Sequence, residues 1–114
     1  MKIVKDPISR KELVEVGKEG FGDLVKAAVD IDQNIMVVGG ELHADEEVML
    51  MEQCGSKREN TWGINIYPQK SDDEWIEFDS MINLKPAHGN RSRAVEDPHI
   101  QEKIRNIVKK LVVD

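Results

Sequence analysis

The chain has 114 residues, of which 39% are hydrophobic and 33% charged, with a formal net charge of −6. This length predicts a single domain over residues 1–114, and the apolar content excludes an intrinsically disordered chain. The acidic character argues against general binding to nucleic acids or acidic membranes, and the apolar runs are too short to span a bilayer.

The first predicted helix begins after Ser9. Ser9 and Glu12 have the spacing of a capping box, in which the Ser9 hydroxyl accepts a hydrogen bond from the Glu12 backbone N–H. Ile8 and Leu13 stand in the positions of a hydrophobic staple around this cap. We expect the helix to end between residues 17 and 20, where glycines begin to recur.

A hairpin is predicted next. Residues 24–31 and 35–38 are apolar or alternating segments, and they flank Asp32, Gln33 and Asn34. Side chains of Asp and Asn bond to local backbone groups and tolerate turn geometry, so this segment favours a tight connection between two strands.

The second predicted helix covers residues 45–54. Asp45 is placed to cap its first turn, and Gly55 is a typical stop. The apolar run at 48–51 within it fits a strand almost equally well, because a short run does not distinguish the two periods.

The remaining segments predict a second hairpin and a third helix. Residues 62–67 and 75–84 alternate between apolar and polar side chains, which is typical of strands, and the polar segment 69–74 joins them. Asp97 and Pro98 have the pattern of an N-cap followed by a proline at the first helical position. Apolar residues at helical spacing then predict an amphipathic helix, and they are Ile100, Ile104, Ile107, Val108 and Leu111.

These elements predict an α+β fold, an antiparallel sheet of about four strands with three helices in the order α-β-β-α-β-β-α. We expect one sheet face to carry the helices and the other to be more open. A bare face containing Trp75 and Met81 would form a homodimer surface. The single cysteine, Cys54, and the absence of a secretory signal pattern predict a cytoplasmic protein.

The segment 85–96 is the first candidate site. It gathers Asn90, Arg91, Ser92 and Arg93 upstream of a helix, within residues 85–114, which carry a net charge of +3. Guanidinium groups match the oxygens of phosphates and carboxylates, so the segment predicts a small anionic ligand, with His43 or His88 at the rim. The alternative is that the arginines pair with the acids of residues 1–84, whose net charge is −9.

Two further candidates involve acids and histidines. Glu41, His43 and Asp45, with His88, offer ligands for a divalent metal, and the alternative is that Asp45 caps the helix and His43 bonds a backbone carbonyl. Separately, two acids lie on one face of the strand 75–84, Glu77 and Asp79, with Asn65 and Tyr67 expected beside them. Such a pair serves either as acid and base or as the solvated face of a sheet.

Three sequence segments are characteristic of a known family. They are Val38-Gly39-Gly40-Glu41-Leu42-His43-Ala44-Asp45, Trp62-Gly63-Ile64-Asn65-Ile66-Tyr67-Pro68 and Gly89-Asn90-Arg91-Ser92-Arg93-Ala94-Val95-Glu96-Asp97-Pro98. Over nearly its whole length the chain resembles a small prokaryotic family classed as a domain of unknown function. The resemblance implies one stand-alone domain and brings no activity, cofactor or catalytic residue.

Three functional hypotheses follow. The first is a binding module for a small anion (phosphate, nucleotide or carboxylate) at residues 85–96. The second is a metal-dependent hydrolase that uses His43, Asp45 and His88, and the third is a homodimeric interaction protein without catalytic activity. The sequence leaves open whether the chain is an enzyme, and it indicates no cofactor.

Overall fold

The computed structural model, which describes residues 1–114 apart from the side chain of Asp72, contains three α-helices and seven β-strands. The helices are α1 (Arg10–Glu19), α2 (His43–Cys54) and α3 (Pro98–Leu111). The strands are β1 (Lys2–Val4), β2 (Ile8–Ser9), β3 (Val25–Asp30), β4 (Ile35–Val38), β5 (Thr61–Ile66), β6 (Ile76–Glu77) and β7 (Val112–Val113). The α+β class is confirmed, and the short strands β1, β2 and β7 are additional to the predicted order.

Five strands form one antiparallel sheet in the order β1-β4-β3-β5-β6, and β2 pairs with β7 in a separate parallel pair. The predicted first hairpin, β3 and β4, is confirmed. Its turn is organised by Asp30, whose Oδ1 accepts hydrogen bonds from the backbone N–H groups of Asp32 and Gln33. Asn34 closes the turn with a positive φ of 59°, a conformation that asparagine tolerates better than most residues.

The ends of the helices follow local chemistry closely. At α1 the Ser9 hydroxyl accepts from the Glu12 N–H at 3.0 Å, and at α3 the Asp97 carboxylate accepts from the His99 N–H at 2.8 Å. These two predicted caps are confirmed. Among the described residues, no helix combines the length and the apolar character that crossing a membrane would require.

The start of α2 differs from the prediction. The helix begins at His43 after Leu42, which makes no side-chain capping bond, so Asp45 lies inside the first turn and is not the cap. His43 and Ala44 are already helical, so the helix begins two residues earlier than predicted. The predicted stop is confirmed, because Gly55 takes a left-handed conformation with φ 67°.

The main core lies between the sheet and the helices α1 and α3. Alternate residues of β3, β4 and β5 face it, and they pack with apolar residues of both helices. Its fully buried members include Leu13, Val25, Val29, Met36, Ile64, Ile66 and Ile104.

The opposite sheet face is covered, so the predicted open face is wrong. Leu50 of α2 packs there against Ala28, Ile35 and Val37, and the 3₁₀ turn Met81–Asn83 also contacts α2. The predicted face containing Trp75 and Met81 does not exist either. Trp75 is buried beneath the Arg10 guanidinium, 4.2 Å from its ring centroid, whereas Met81 is 62% exposed.

The predicted strand 75–84 is wrong beyond residue 77. Only Ile76 and Glu77 pair with β5, and the chain then turns back over β5 instead of continuing along it. There the side chain of Asn83 accepts from the Gly63 N–H at 2.8 Å and donates to the Gly63 carbonyl at 3.0 Å. An amide side chain therefore replaces the ladder bonds that a longer β6 would have made.

Candidate functional site

Asn90, predicted to bind an anion, instead organises its own loop. It is buried, and its Nδ2 donates to the carbonyl oxygens of Asn83, Ser92 and Ala94 at 2.7, 3.1 and 2.7 Å. Its Oδ1 accepts from the Glu96 N–H at 2.9 Å. Both ends of the amide are thus committed to backbone groups within residues 83–96.

An internal carboxylate uses two donors of this loop. The Glu96 side chain accepts from the Arg91 backbone N–H at 2.9 Å. The Ser92 hydroxyl, followed by that N–H, lowers the pKa of Glu96, because both stabilise the charged form. Of the predicted anion-binding side chains, Ser92 therefore serves Glu96, whereas Arg91 contributes its backbone N–H and not its guanidinium group.

The other predicted residues of the loop lie on the surface. The Arg93 Nε donates to Asp79 at 2.8 Å, as the alternative hypothesis expected. Arg91 and His88 are exposed, and His88 ends a 3₁₀ turn. We describe five clefts, and none of these five is lined by residues 85–96.

His43 is buried at the first turn of α2. Its Nε2 lies 2.8 Å from the carbonyl oxygen of Ile64, and because a carbonyl only accepts, Nε2 carries the proton. Nδ1 of the neutral ring is therefore an acceptor. Burial lowers the pKa of His43, and the nearby Lys26 charge lowers it further, against the opposing effect of the Ile64 carbonyl. His43 is thus a neutral imidazole at neutral pH.

A row of three polar side chains crosses the sheet beside His43. Lys26 on β3 stands opposite Asn65 on β5, and Asn65 stands opposite Glu77 on β6. Asn65 Nδ2 donates to Glu77 at 2.8 Å, and the Tyr67 hydroxyl donates to the same carboxylate oxygen at 3.3 Å. The predicted neighbourhood of Asn65, Tyr67 and Glu77 is confirmed. Burial and the Glu77 charge raise the pKa of Tyr67.

The largest of the five clefts opens next to this row. It has a volume of about 760 Å³ and lies between the C-terminal end of α1 and the segment 39–42 that leads into α2. Phe21 and Leu42 are 49% and 56% exposed at its walls, and Lys26 also lines it. The Lys26 Nζ lies 4.8 Å from the centroid of the Phe21 ring. An aromatic wall and a cation therefore meet in one concave site.

A buried acid lies beneath the wall of the cleft. The carboxyl of Glu46 accepts from the Gly40 N–H at 2.9 Å, and a Cβ at Gly40 would come within 2.7 Å of the Glu46 Cγ. Burial raises the pKa of Glu46 to about 9, although the Gly40 N–H and the Lys26 charge act in the opposite direction. Glu46 is therefore protonated at neutral pH and does not neutralise Lys26. Among the described side chains Lys26 has no ion-pair partner.

The structure does not assemble the predicted metal ligands. Within the described residues, no group of three or more His, Cys, Asp or Glu side chains is placed to hold a metal ion. His43 is buried and bonded to Ile64, whereas Asp45 and His88 are exposed. The predicted carbonyl bond of His43 is therefore the alternative that the structure supports.

Sequence reasoning missed two residues of this site. Lys26 interrupts the otherwise apolar segment of β3, and that interruption was an available signal. Glu46 stands in the first turn of a helix, where an acid complements the positive end of the helix dipole, and its full burial has no signal in the sequence. No local pattern distinguishes it from Asp45, because its burial depends on the close approach of Gly40 in the folded chain.

Comparison with known proteins adds a family but no activity. A family model described as "Protein of unknown function (DUF5674)" matches residues 2–111. No curated protein and no solved structure matches the chain. The function therefore has to be argued from the site itself.

Proposed function

We propose a function from the geometry of the site, because the chain belongs to the DUF5674 family of proteins of unknown function, which supplies none. The proposal is a binding module for a small anionic molecule that carries an apolar or aromatic group. Its site is the cleft between α1 and the segment 39–42, with Lys26 as the anchor. The single observation that carries it is an unpaired lysine beside an aromatic ring in the largest of the five clefts.

The charge distribution favours an anion at Lys26. The nearest buried acid, Glu46, is neutral, and the Lys2 ammonium on the same cleft is paired with Glu12. Two exposed carboxylates also line the cleft, those of Glu19 and Glu41. Neither of them forms an ion pair with Lys26, so its ammonium group is unpaired among the described side chains.

The walls favour an apolar group on the same ligand. Phe21 and Leu42 are more exposed than large apolar side chains usually are, and Val16 and Leu24 line the cleft between them. Pockets that bind small molecules are typically apolar with a few polar groups that fix orientation. A flat ring against Phe21 with a carboxylate or phosphate at Lys26 matches this arrangement.

Phenylacetate is a suitable probe, because it combines one ring with one carboxylate. We expect it to bind in a titration followed by NMR, with resonance changes at residues lining the cleft. Lys26→Gln should weaken binding by about tenfold or more, the range for loss of a hydrogen bond to a charged group. Lys11→Gln is the matched control, since Lys11 is an exposed lysine outside the cleft, and it should leave binding unchanged.

Phenylacetamide, the neutral counterpart, should bind much more weakly. Equal binding of the two probes, or binding that survives Lys26→Gln, would contradict the proposal. Changes confined to residues 85–96 and abolished by Arg91→Gln would instead support the arginine loop, which stays a prediction.

The single cysteine supports a cytoplasmic location for this binding protein. A prokaryotic source is implied only by the resemblance described above. Neither a catalytic activity nor a metal-dependent hydrolysis has an observation in its favour, so a binding role is the function that we propose.

A further inference from the structure

Asn65 presents a buried acceptor with no hydrogen-bond donor. The residue is only 9% exposed, and its Oδ1 has no partner among the described residues. Its Nδ2 is bonded to the Glu77 carboxylate, which accepts only, so the orientation of the amide is fixed. A buried acceptor without a donor costs about 1–3 kcal/mol, so a native structure normally supplies one from protein, water or ligand.

His43 presents a second acceptor at the same place. Its proton is held at Nε2 by the Ile64 carbonyl, so the lone pair of the neutral ring is at Nδ1. The His43 imidazole lies close enough to Asn65 for the Asn65 side chain to act on the pKa of His43, which it raises against the larger effect of burial. The two acceptor atoms, Asn65 Oδ1 and His43 Nδ1, are therefore adjacent. Each side chain is held in its orientation by the hydrogen bond that its N–H group donates.

This pair of acceptors adjoins the proposed ligand cleft. Lys26, which lines the cleft, is the direct cross-strand neighbour of Asn65. Leu42 and Glu41, which also line it, immediately precede His43. The Cβ atoms of directly opposite residues lie about 4.5–5.5 Å apart, so Asn65 borders the base of the Lys26 side chain, next to the residues that line the cleft.

We propose that the ligand of this cleft carries a hydroxyl group next to its anionic group, and that the single hydroxyl hydrogen is shared between Asn65 Oδ1 and His43 Nδ1 in a three-centre hydrogen bond. This inference rests on the proposed function and specifies its ligand as a hydroxylated anion, such as a 2-hydroxy carboxylate. A hydroxyl fits better than an ammonium group, because Lys26 already places one positive charge beside the pair and a second would be repelled.

Mandelate and phenylacetate test the inference, since they differ by one hydroxyl beside the carboxylate. We expect mandelate to bind the wild-type chain about fivefold more tightly, which is the scale of one added hydrogen bond. Asn65→Leu should remove this preference while phenylacetate binding is retained. His43→Gln, a second variant in case Asn65→Leu unfolds, should reduce the preference in the same way.

The outcomes separate the two proposals. If phenylacetate binds in a Lys26-dependent manner and mandelate binds no better, the hydroxyl inference is overturned and the binding function stands. If neither probe binds, the binding function fails, and the hydroxyl inference that rests on it fails as well. The ¹⁵N resonance of His43 in the free protein is a separate check: we expect an unprotonated Nδ1 at neutral pH, and a protonated Nδ1 overturns the hydroxyl inference while leaving the binding function intact.

Discussion

Glu46 is the residue whose protonation differs most between the folded and unfolded chain. Unfolded, it ionises near its ordinary pKa of 4.5, whereas burial raises the pKa to about 9 in the folded protein. Between these two values the folded state holds a proton that the unfolded state has released. The contribution of Glu46 to stability is therefore fully present below pH 4.5 and declines as pH rises toward 9.

Glu46→Gln should remove this pH dependence. Glutamine has nearly the same shape as a protonated glutamate, and its side-chain oxygen can accept from the Gly40 N–H. It has no titratable proton, so its contribution does not change with pH. We expect the variant to be more stable than the wild type at pH 8, by up to about 3 kcal/mol, and to differ little at pH 5. Urea unfolding at the two pH values measures the difference.

Asp45→Asn is the matched control, because it changes an exposed acid in the same helical turn. It should shift stability by less than about 0.5 kcal/mol, with little change between pH 5 and pH 8. A wild-type chain whose stability does not fall between pH 5 and pH 8 relative to Glu46→Gln would show that Glu46 is ionised in the fold.

Single residues were predicted well where their chemistry is local. Ser9 and Asp97 cap helices as their spacing indicated, because a cap needs only its own next turn. Asn90 and Ser92 have the donor character that was inferred, yet their partners are groups of the same loop. The sequence shows which side chains can donate hydrogen bonds. It does not show which acceptors they reach, because that depends on how the chain brings its segments together.

At the scale of elements, the 3₁₀ turn Met81–Asn83 depends on one glycine in the sheet. A Cβ at Gly63 would lie 2.4 Å from both the Cβ and the Oγ of Ser80 and 3.0 Å from Ile82. The turn therefore lies directly on the backbone of β5. This contact is what allows Asn83 to bond both the N–H and the carbonyl of Gly63.

Gly63→Ala should destabilise the fold by about 2–3 kcal/mol, because the added methyl group forces the turn away from β5. Gly20→Ala is the matched control. Its Cβ would have no neighbour nearer than 3.9 Å, so we expect a change within about 0.5 kcal/mol. Thermal unfolding compares the two variants, and equal melting temperatures would mean that the turn shifts without cost.

The same glycine explains why one strand was mispredicted. Ile76 and Ser80 are buried as an alternating strand would require, but Leu84 of the same predicted face is 40% exposed, and Trp75 and Asn83 of the other face are buried. Strand pairing ends at Glu77, because β5 accepts the Asn83 side chain in place of further backbone. The periodicity therefore predicts burial only for the part of the segment next to the paired residues.

For the whole molecule, part of the positive charge of residues 85–114 is used within the fold. Arg93 pairs with Asp79, and the Arg105 guanidinium lies 5.0 Å from the Phe78 ring centroid. Lys85 is buried and donates to the Ile82 carbonyl at 2.9 Å, and burial lowers its pKa. Three of the seven lysines and arginines of this segment therefore contact other parts of the fold.

The homodimer stays a prediction, and the structure changes which surface it would use. Met81 and Leu84 are exposed, and α2, which contacts the turn of Met81, exposes Val48 and Met51. We expect light scattering to give twice the mass of one chain and Met81→Lys to reduce it to the single mass. Val113→Lys, at an exposed apolar residue outside this group, should leave the mass unchanged; a monomeric wild type would contradict the prediction.

The amide of Asn83 also bears on how the chain avoids self-association through its sheet. β6 pairs only two residues with β5, so most of that border would otherwise offer vacant backbone groups to an extended segment from another molecule. By occupying the N–H and carbonyl of Gly63, Asn83 blocks that docking edge with a side chain. Without the Asn83 side chain, these two backbone groups would be available for pairing with a strand of another molecule.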